Sequence, residues 1–78
     1  MYVYKLKSKK DPFQVYTGYT SNFKERLKRH NTGQSPHTSK YTPWEVEFVI
    51  WINSKEKAIK FEKYLKSGSG RAFCKKHF

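Results

Sequence analysis

Two predicted helices each carry polar residues on an otherwise apolar stripe. In the first helix, the positions i, i+3, i+4 and i+7 hold Phe23, Arg26, Leu27 and His30. In the second, the stripe holds Ala58, Phe61, Glu62 and Leu65. Burying a charge without a partner is costly. We therefore expect these polar groups either to lie where the stripe meets water or to contact one another.

Two tyrosines add phenol groups to this set. Tyr4 and Tyr16 lie in segments that alternate like strands, and the alternation lets both face the same side of a sheet. An arginine, a histidine, a glutamate and two phenols on one rim can supply a charge clamp, a metal ligand and proton acceptors for phosphoryl transfer. The structural alternatives are a salt bridge between Arg26 and Glu62, a hydrogen-bonded His30, and tyrosines that only favour strands.

Other metal and phosphate sites are not indicated. His37 and His77 have no zinc-like spacing to His30, and no paired carboxylates suit a two-metal site. No glycine-rich phosphate loop precedes either helix. A metal here would be a single hard ion held by Glu62 and waters, which suits Mg²⁺.

The elements that must position these residues can be predicted from periodicity. Two strands joined as a hairpin precede a helix that Asn22 caps, with Glu25 completing a box-like arrangement and Gly33 ending it. A third strand follows, then a helix capped by Ser54 and broken at residues 67–70. The predicted strands and helices are Met1–Lys7, Gln14–Thr20, Asn22–Asn31, Trp44–Ile52 and Ser54–Lys66.

The predicted fold class is α+β, a small antiparallel three-stranded sheet packed against helices in the order β-β-α-β-α. Arg71–Phe78 is predicted as a possible short last helix whose Phe73 folds back on the core. In the third strand, alternation places Val46, Phe48, Ile50 and Ile52 on one face, with Val49 and Trp51 on the other. Both faces are largely apolar, so we expect cover on both sides for part of the strand.

Size and charge indicate one small domain with a polyanionic partner. Seventy-eight residues suffice for a single domain, 1–78. A net charge of +11 is typical of proteins with a polyphosphate partner, but by itself it fits a ribosome-associated or simply solvated basic protein equally well. The lone Cys74 excludes an internal disulfide and fits a cytoplasmic location. No membrane span or secretory signal is expected.

An ordered set of these residues resembles the GIY-YIG nuclease family over nearly the whole chain. Tyr2-Val3-Tyr4 stands at the first triplet and Tyr16-Thr17-Gly18 at the second, followed in order by Arg26, His30 and Glu62. The chain is most similar to the short stand-alone bacterial members that resemble the nuclease domain of the excision-repair incision subunit. The first triplet lacks the family's glycine and isoleucine, and Thr17 replaces the second isoleucine. The family's late asparagine is absent, so Ser67, Ser69 or Lys66 would stand in, or the role is missing.

The resemblance implies a metal-dependent DNA endonuclease, active in DNA repair, with a one-metal mechanism. Glu62 would hold the divalent cation, Mg²⁺ or Mn²⁺, and Arg26 would stabilise charge on the phosphate. Tyr4 or Tyr16 would align or deprotonate the attacking water, and His30 would orient a tyrosine or contact the phosphate. Gly18 would leave room for backbone approach beside Tyr16. Basic residues that would grip the DNA backbone are Lys24, Lys28, Arg29, Lys40 and Lys66.

Two rival functions remain open at this level. One is a catalytically inactive nucleic-acid-binding module on the same fold. The other is a protein-interaction domain that docks a partner through exposed Trp44 and Tyr41. The substrate could be single-stranded, duplex or branched DNA, or RNA. Strong sequence specificity is not expected from so small a contact area.

Overall fold

The strand-forming residues of the first third of the chain fold into the predicted hairpin. The computed structural model describes all residues, 1–78. Its elements in order are β1 (Tyr2–Ser8), β2 (Val15–Thr20), α1 (Phe23–Asn31), a 3₁₀ turn (Ser39–Tyr41), β3 (Trp44–Trp51), α2 (Lys55–Lys66) and α3 (Gly68–His77). None of the helices is both long and apolar enough to cross a membrane.

The sheet is antiparallel, with β1 in the centre and β2 and β3 at its edges. Tyr4 of β1 pairs with Gly18 of β2 and with Val49 of β3. Leu6 pairs with Tyr16, so Tyr4 and Tyr16 share a face, as the alternation predicts. The fold class and the antiparallel pairing are confirmed.

Helices cover the sheet on both faces. On one face, Phe23 and Leu27 of α1 pack against a buried cluster of Tyr4, Leu6 and Trp44. On the other face, α2 and α3 pack against Val3 and Phe48, with Ala58, Leu65 and Cys74 in the same cluster. Phe73 packs against this second cluster, which confirms the prediction that it folds back on the core. The result is three layers, with α1 and the α2–α3 pair on opposite sides of the sheet.

The predicted faces of β3 are wrong at one end because the strand contains a bulge. The pairing with β1 shifts register between Lys5 and Leu6, so that Lys5 pairs with Phe48 and Leu6 with Val46. One extra residue reverses the alternation beyond that point. Val46 therefore leaves the face of Phe48 and is 39% exposed, whereas Trp44 is buried beside Leu6.

The caps of α1 and α2 are the predicted ones. The Asn22 side chain accepts a hydrogen bond from the Glu25 backbone N–H at 3.2 Å, and its amide donates to the Glu25 carboxylate at 3.4 Å. Gly33 follows the helix with a φ of 77°, in the left-handed region that glycine favours. Ser54 accepts from the Lys57 N–H. These caps fix where the two polar-bearing stripes begin.

The C-terminal helix is longer than predicted. The break between α2 and α3 is the single residue Ser67, whose hydroxyl accepts from the Gly70 N–H, and α3 then runs for 10 residues from Gly68. The prediction of a broken stretch over 67–70 is wrong because Ser67 caps a new helix directly. At Gly70, a Cβ atom would lie 1.9 Å from the Tyr64 carbonyl oxygen. Glycine is therefore what lets the two helices approach this closely.

Candidate active site

Residues from both covering layers meet in an open cleft around the edge strand β2. Arg26 reaches it from α1 on one side of the sheet, and Glu62 and Lys66 reach it from α2 on the other. The cleft has a volume of about 330 Å³ and is lined by Tyr16, Thr17, Gly18, Tyr19, Arg26, Glu62 and Lys66. Five of the predicted site residues thus face one space: Tyr16, Gly18, Arg26, Glu62 and Lys66.

Glu62 is a nearly buried carboxylate in this cleft. It is 8% exposed and lies on the α2 stripe between residues of the core, as predicted. Its Oε1 lies 2.5 Å from the Lys66 Nζ, so the two side chains form an ion pair. The alternative salt bridge between Arg26 and Glu62 is not formed, because the nearest cation to Glu62 comes from its own helix.

Tyr4 and His30 lie beneath the cleft rather than in it. Both are almost fully buried, and the Tyr4 hydroxyl lies 3.1 Å from the His30 Nε2. The His30 Nδ1 lies 2.9 Å from the Thr38 Oγ1. Because the Thr38 hydroxyl donates to the Ser35 carbonyl oxygen, it accepts from Nδ1–H. That arrangement leaves Nε2 as the acceptor for the Tyr4 hydroxyl. Both imidazole nitrogens are therefore hydrogen-bonded within the protein, which is the structural alternative considered for His30.

Burial keeps this inner pair uncharged. The pKa of Tyr4 is raised to about 12, mainly by desolvation and secondarily by nearby Tyr16, with the Arg26 guanidinium opposing the shift. Desolvation also lowers the pKa of His30 below 6.5, with a second lowering effect from the charge on Arg26. At neutral pH the pair is a phenol bonded to a neutral imidazole.

Gly18 makes room for the two tyrosines. A Cβ atom there would lie 2.8 Å from the Tyr4 hydroxyl oxygen and 3.0 Å from a ring carbon of Tyr16. Any side chain would displace the hydroxyl that His30 holds. The space at Gly18 is occupied by tyrosine rings, whereas the sequence predicted that it would serve backbone approach.

Comparison with known proteins identifies the family at this point. Residues 1–76 match the GIY-YIG catalytic domain. The chain belongs to the GIY-YIG family. The enzyme class that follows from this membership is a GIY-YIG-type endonuclease. The suspected resemblance is thereby confirmed.

Curated relatives of this GIY-YIG domain include both short and long proteins. A UPF0213 protein of Streptococcus agalactiae serotype V is 34% identical over 67 residues, which are 81% of this chain and 76% of that protein. A UPF0213 protein of Oceanobacillus iheyensis is 38% identical over 69 residues, 83% of this chain and 74% of the relative. The structure-specific endonuclease subunit SLX1 homolog of Giardia intestinalis is 39% identical over 59 residues, 70% of this chain but 16% of that protein. No solved structure is significantly similar.

The predicted grip residues of the GIY-YIG domain occupy different places. Lys66 lies in the cleft, and it is the only one of the three asparagine substitutes to do so, since Ser67 caps α3 and Ser69 is exposed. Arg29 lies 2.6 Å from Glu25 on the outer surface of α1. Lys24 and Lys28 are exposed on the same helix, and Lys40 lies 5.4 Å from the centre of the Tyr41 ring.

The rival interpretation, in which exposed Trp44 and Tyr41 dock a partner, is wrong about Trp44, and Tyr41 is half-buried. Trp44 is buried, and its indole N–H donates to the Thr38 carbonyl oxygen at 3.0 Å. Thr38 is the site-supporting residue that sequence reasoning missed, because it lies in an aperiodic loop where no pattern marks a buried hydroxyl. Thr17 and Tyr19 were also missed as cleft residues. The alternation of β2 places them on the face opposite Tyr16, so only the edge position of the strand brings both faces into one cleft.

Proposed function

We propose that this GIY-YIG domain hydrolyses phosphodiester bonds in DNA with one divalent cation, Mg²⁺ or Mn²⁺, held by Glu62. The observation that carries the proposal is the nearly buried carboxylate of Glu62, which faces the same cleft as Arg26 and has Lys66, a half-exposed side chain, as its one cation within ion-pair distance. A buried carboxylate needs a cation or hydrogen-bond donors beside it. Because this one opens onto a cleft and its present cation is an exposed lysine, a metal ion could take the place of Lys66.

The donor set fits such an ion. Glu62 is the one carboxylate that lines the cleft, and no group of three or more acidic, histidine or cysteine side chains surrounds a common point. Mg²⁺ is commonly held by one or two carboxylates together with waters and substrate phosphate. Lys66 occupies the cation position beside Oε1, and its side chain is 57% exposed, so it can move into solvent when a metal ion and phosphate arrive. When bound, the cation polarises the phosphate and stabilises the leaving oxygen.

The remaining cleft residues have roles that follow from their position. Arg26 places a planar cation on the side of the cleft opposite Glu62, where it stabilises charge on the non-bridging phosphate oxygens. Tyr16 lines the cleft and orients the attacking water. Tyr4 and His30 are positioning residues, because Tyr4 is buried with a pKa of about 12 and both His30 nitrogens are bonded. Gly18 keeps the space that these rings require.

Charge supports a nucleic acid as the substrate, and one relative supports a substrate of particular structure. The +11 charge favours a polyanion. The Giardia relative is named a structure-specific endonuclease subunit, which supports a substrate chosen by its structure. DNA as the polymer and a part in DNA repair belong to our proposal. We propose that the protein is cytoplasmic and that one domain, 1–78, carries the activity. Lys24, Lys28, Arg29, Lys40 and Lys66 are proposed to contact phosphates, Arg29 after release from Glu25.

The test is the substitution Glu62→Gln beside Glu56→Gln, an exposed glutamate of α2 that pairs with Lys60. We expect Glu62→Gln to lower single-turnover cleavage at least ~10²-fold with its melting temperature retained, because a charge-stabilising group is lost. Glu56→Gln should cleave like the wild type. Labelled single-stranded, duplex and branched DNA should each be tested with Mg²⁺, Mn²⁺ or chelator. Near-wild-type cleavage by Glu62→Gln would remove Glu62 from the site, and tight binding by the wild type without cleavage would favour the inactive module.

A further inference from the structure

A basic groove continues from the candidate cleft along the face of β2 that α2 and α3 cover. Its first segment, about 280 Å³, shares Tyr16, Thr17 and Lys66 with the cleft. Its second segment, about 330 Å³, shares Lys5 and Arg71 with the first. The shared residues make the cleft and both segments one continuous path.

Positive charge along this groove is largely uncompensated. Lys5, Arg71 and Lys75 line it and form no ion pair. The one carboxylate that lines it is Glu47, which lies 3.9 Å from Lys7. A row of lysine and arginine side chains without ion-pair partners is typical of a groove that binds backbone phosphates.

One exposed aromatic ring lines the far end of the same path, and a second belongs to the loop that borders it. Phe13 is 93% exposed and lies in the chain between Pro12 and Val15, which both line the second segment. Phe78 lines it as well, is 55% exposed, and stacks on Phe48 with 4.6 Å between ring centres. A basic groove with accessible aromatic rings is how proteins bind single-stranded nucleic acid, because unpaired bases can stack on the rings. A duplex keeps its bases stacked and cannot use them in this way.

We propose that this groove binds an unpaired DNA tail that continues from the phosphodiester held in the cleft. The inference rests on the proposed function for the identity of the cleft. Lys66, Lys5 and Arg71 contact successive stretches of the phosphate backbone, and a base of the tail stacks on Phe13. The preferred substrate is then DNA in which the scissile phosphate adjoins single-stranded DNA.

The experiment compares two double variants of the full chain. Lys5→Gln/Arg71→Gln removes two positive charges from the groove, and Lys57→Gln/Lys63→Gln removes two exposed charges of α2 that line neither segment. Binding is measured without metal, over a range of salt, to one duplex with and without an unpaired tail. We expect the groove variant to weaken binding to tailed DNA only and to reduce its log–log salt slope by about 1.4, since each single-strand phosphate contact contributes about 0.7. The control variant should bind both substrates with equal, modest loss.

A second variant tests the stacking contact separately. Phe13→Ala should weaken binding to the tailed duplex at least about fivefold, with an unchanged salt slope, because a stacked base and no charge is lost. The proposal is overturned if the groove variant and the control reduce binding by the same factor, or if the groove variant affects blunt and tailed duplex alike. Tighter binding of an RNA tail would overturn the assignment to DNA. Because binding is measured without metal, tail-dependent binding with no cleavage would defeat only the proposed function, and cleavage without tail dependence only this inference.

Discussion

Arg26 differs from the other basic residues of α1 at the scale of single side chains. It shares the packed stripe with Phe23 and Leu27 and faces the cleft, whereas Lys28 is exposed on the outer surface. A cation held in a fixed position can stabilise the transition state of cleavage, whereas a mobile cation mainly speeds the encounter between the protein and DNA. The two kinds of cation can therefore be separated by measuring binding and cleavage independently.

We predict that Arg26→Lys binds DNA almost normally and cleaves it at least ~10²-fold more slowly, because the charge remains and the planar fork is lost. Lys28→Gln is the matched control and should lose a little affinity with no separate loss of rate. The measurements are single-turnover cleavage and binding affinity at one salt concentration. If Arg26→Lys loses affinity and rate together by the factor seen for Lys28→Gln, Arg26 is a grip residue.

Substitutions of the two tyrosines are expected to have different effects, one on stability and the other on the cleavage rate. Tyr4→Phe leaves the buried Nε2 of His30 without a donor, so it should lower the free energy of unfolding by about 1–3 kcal/mol. Tyr16→Phe, at the cleft, should change stability by less than about 0.5 kcal/mol and reduce the cleavage rate. Urea denaturation and single-turnover cleavage check both. The opposite pattern, with Tyr4 needed only for rate, would place Tyr4 in contact with the water.

At this scale the sequence predicts which residues share a face but not how deeply each is buried. The stripes of α1 and α2 and the alternation of β1 and β2 place Arg26, Glu62, Tyr4 and Tyr16 correctly. Tyr4 and Tyr16 look equivalent in the sequence, yet only Tyr16 lines the cleft. The difference depends on what covers each strand, and central β1 is covered more completely than edge β2. Which cation pairs with Glu62, Lys66 or Arg26, likewise depends on distances between elements that the sequence does not give.

At the scale of elements, local signals succeed where a cap or a turn residue decides the outcome. Asn22 and Ser54 mark the starts of α1 and α2 correctly. Two features needed long-range information. The bulge in β3 follows from its pairing with β1, and the early start of α3 depends on close contact between Gly70 and the end of α2. A run of serines and glycines predicts a break, because its intrinsic helix propensity is low.

That contact gives a prediction with a built-in control. Gly70→Ala should lower the free energy of unfolding by roughly 1–3 kcal/mol, because the added methyl group overlaps the Tyr64 carbonyl. Gly68→Ala has nothing within 4 Å of its new Cβ and should leave stability unchanged or raise it by up to about 1 kcal/mol. Thermal or urea unfolding of the two variants checks the difference. Equal stability would mean that the α2–α3 junction yields without cost.

At the scale of the whole molecule, the site depends on all three layers. α1 contributes Arg26 from one face of the sheet and α2 contributes Glu62 from the other, and they meet only because β2 is an edge strand. Beneath them, His30 joins α1 to β1 through Tyr4 and to the loop before β3 through Thr38. Global stability and site geometry therefore share one buried hydrogen-bond chain.

This chain makes stability depend on pH in a predictable direction. The pKa of His30 is lowered from 6.5 in the folded protein, first by burial and second by Arg26. Below about pH 6.5 the unfolded chain binds a proton that the folded chain does not, so the free energy of unfolding falls as pH decreases. One such proton gives a slope of up to about 1.4 kcal/mol per pH unit. Above pH 6.5 the contribution is fully present.

We predict that the melting temperature falls between about pH 7.5 and pH 5 and that His30→Gln flattens this dependence. The groups that face His30 are Tyr4, Tyr16, Thr38 and Arg26, none of which is a carboxylate. His37→Gln, at an exposed loop position, is the control and should keep the wild-type slope. A decline that persists unchanged in His30→Gln would mean that other groups cause the acid sensitivity. The uncharged state of His30 would then not be what the stability of the fold depends on in this pH range.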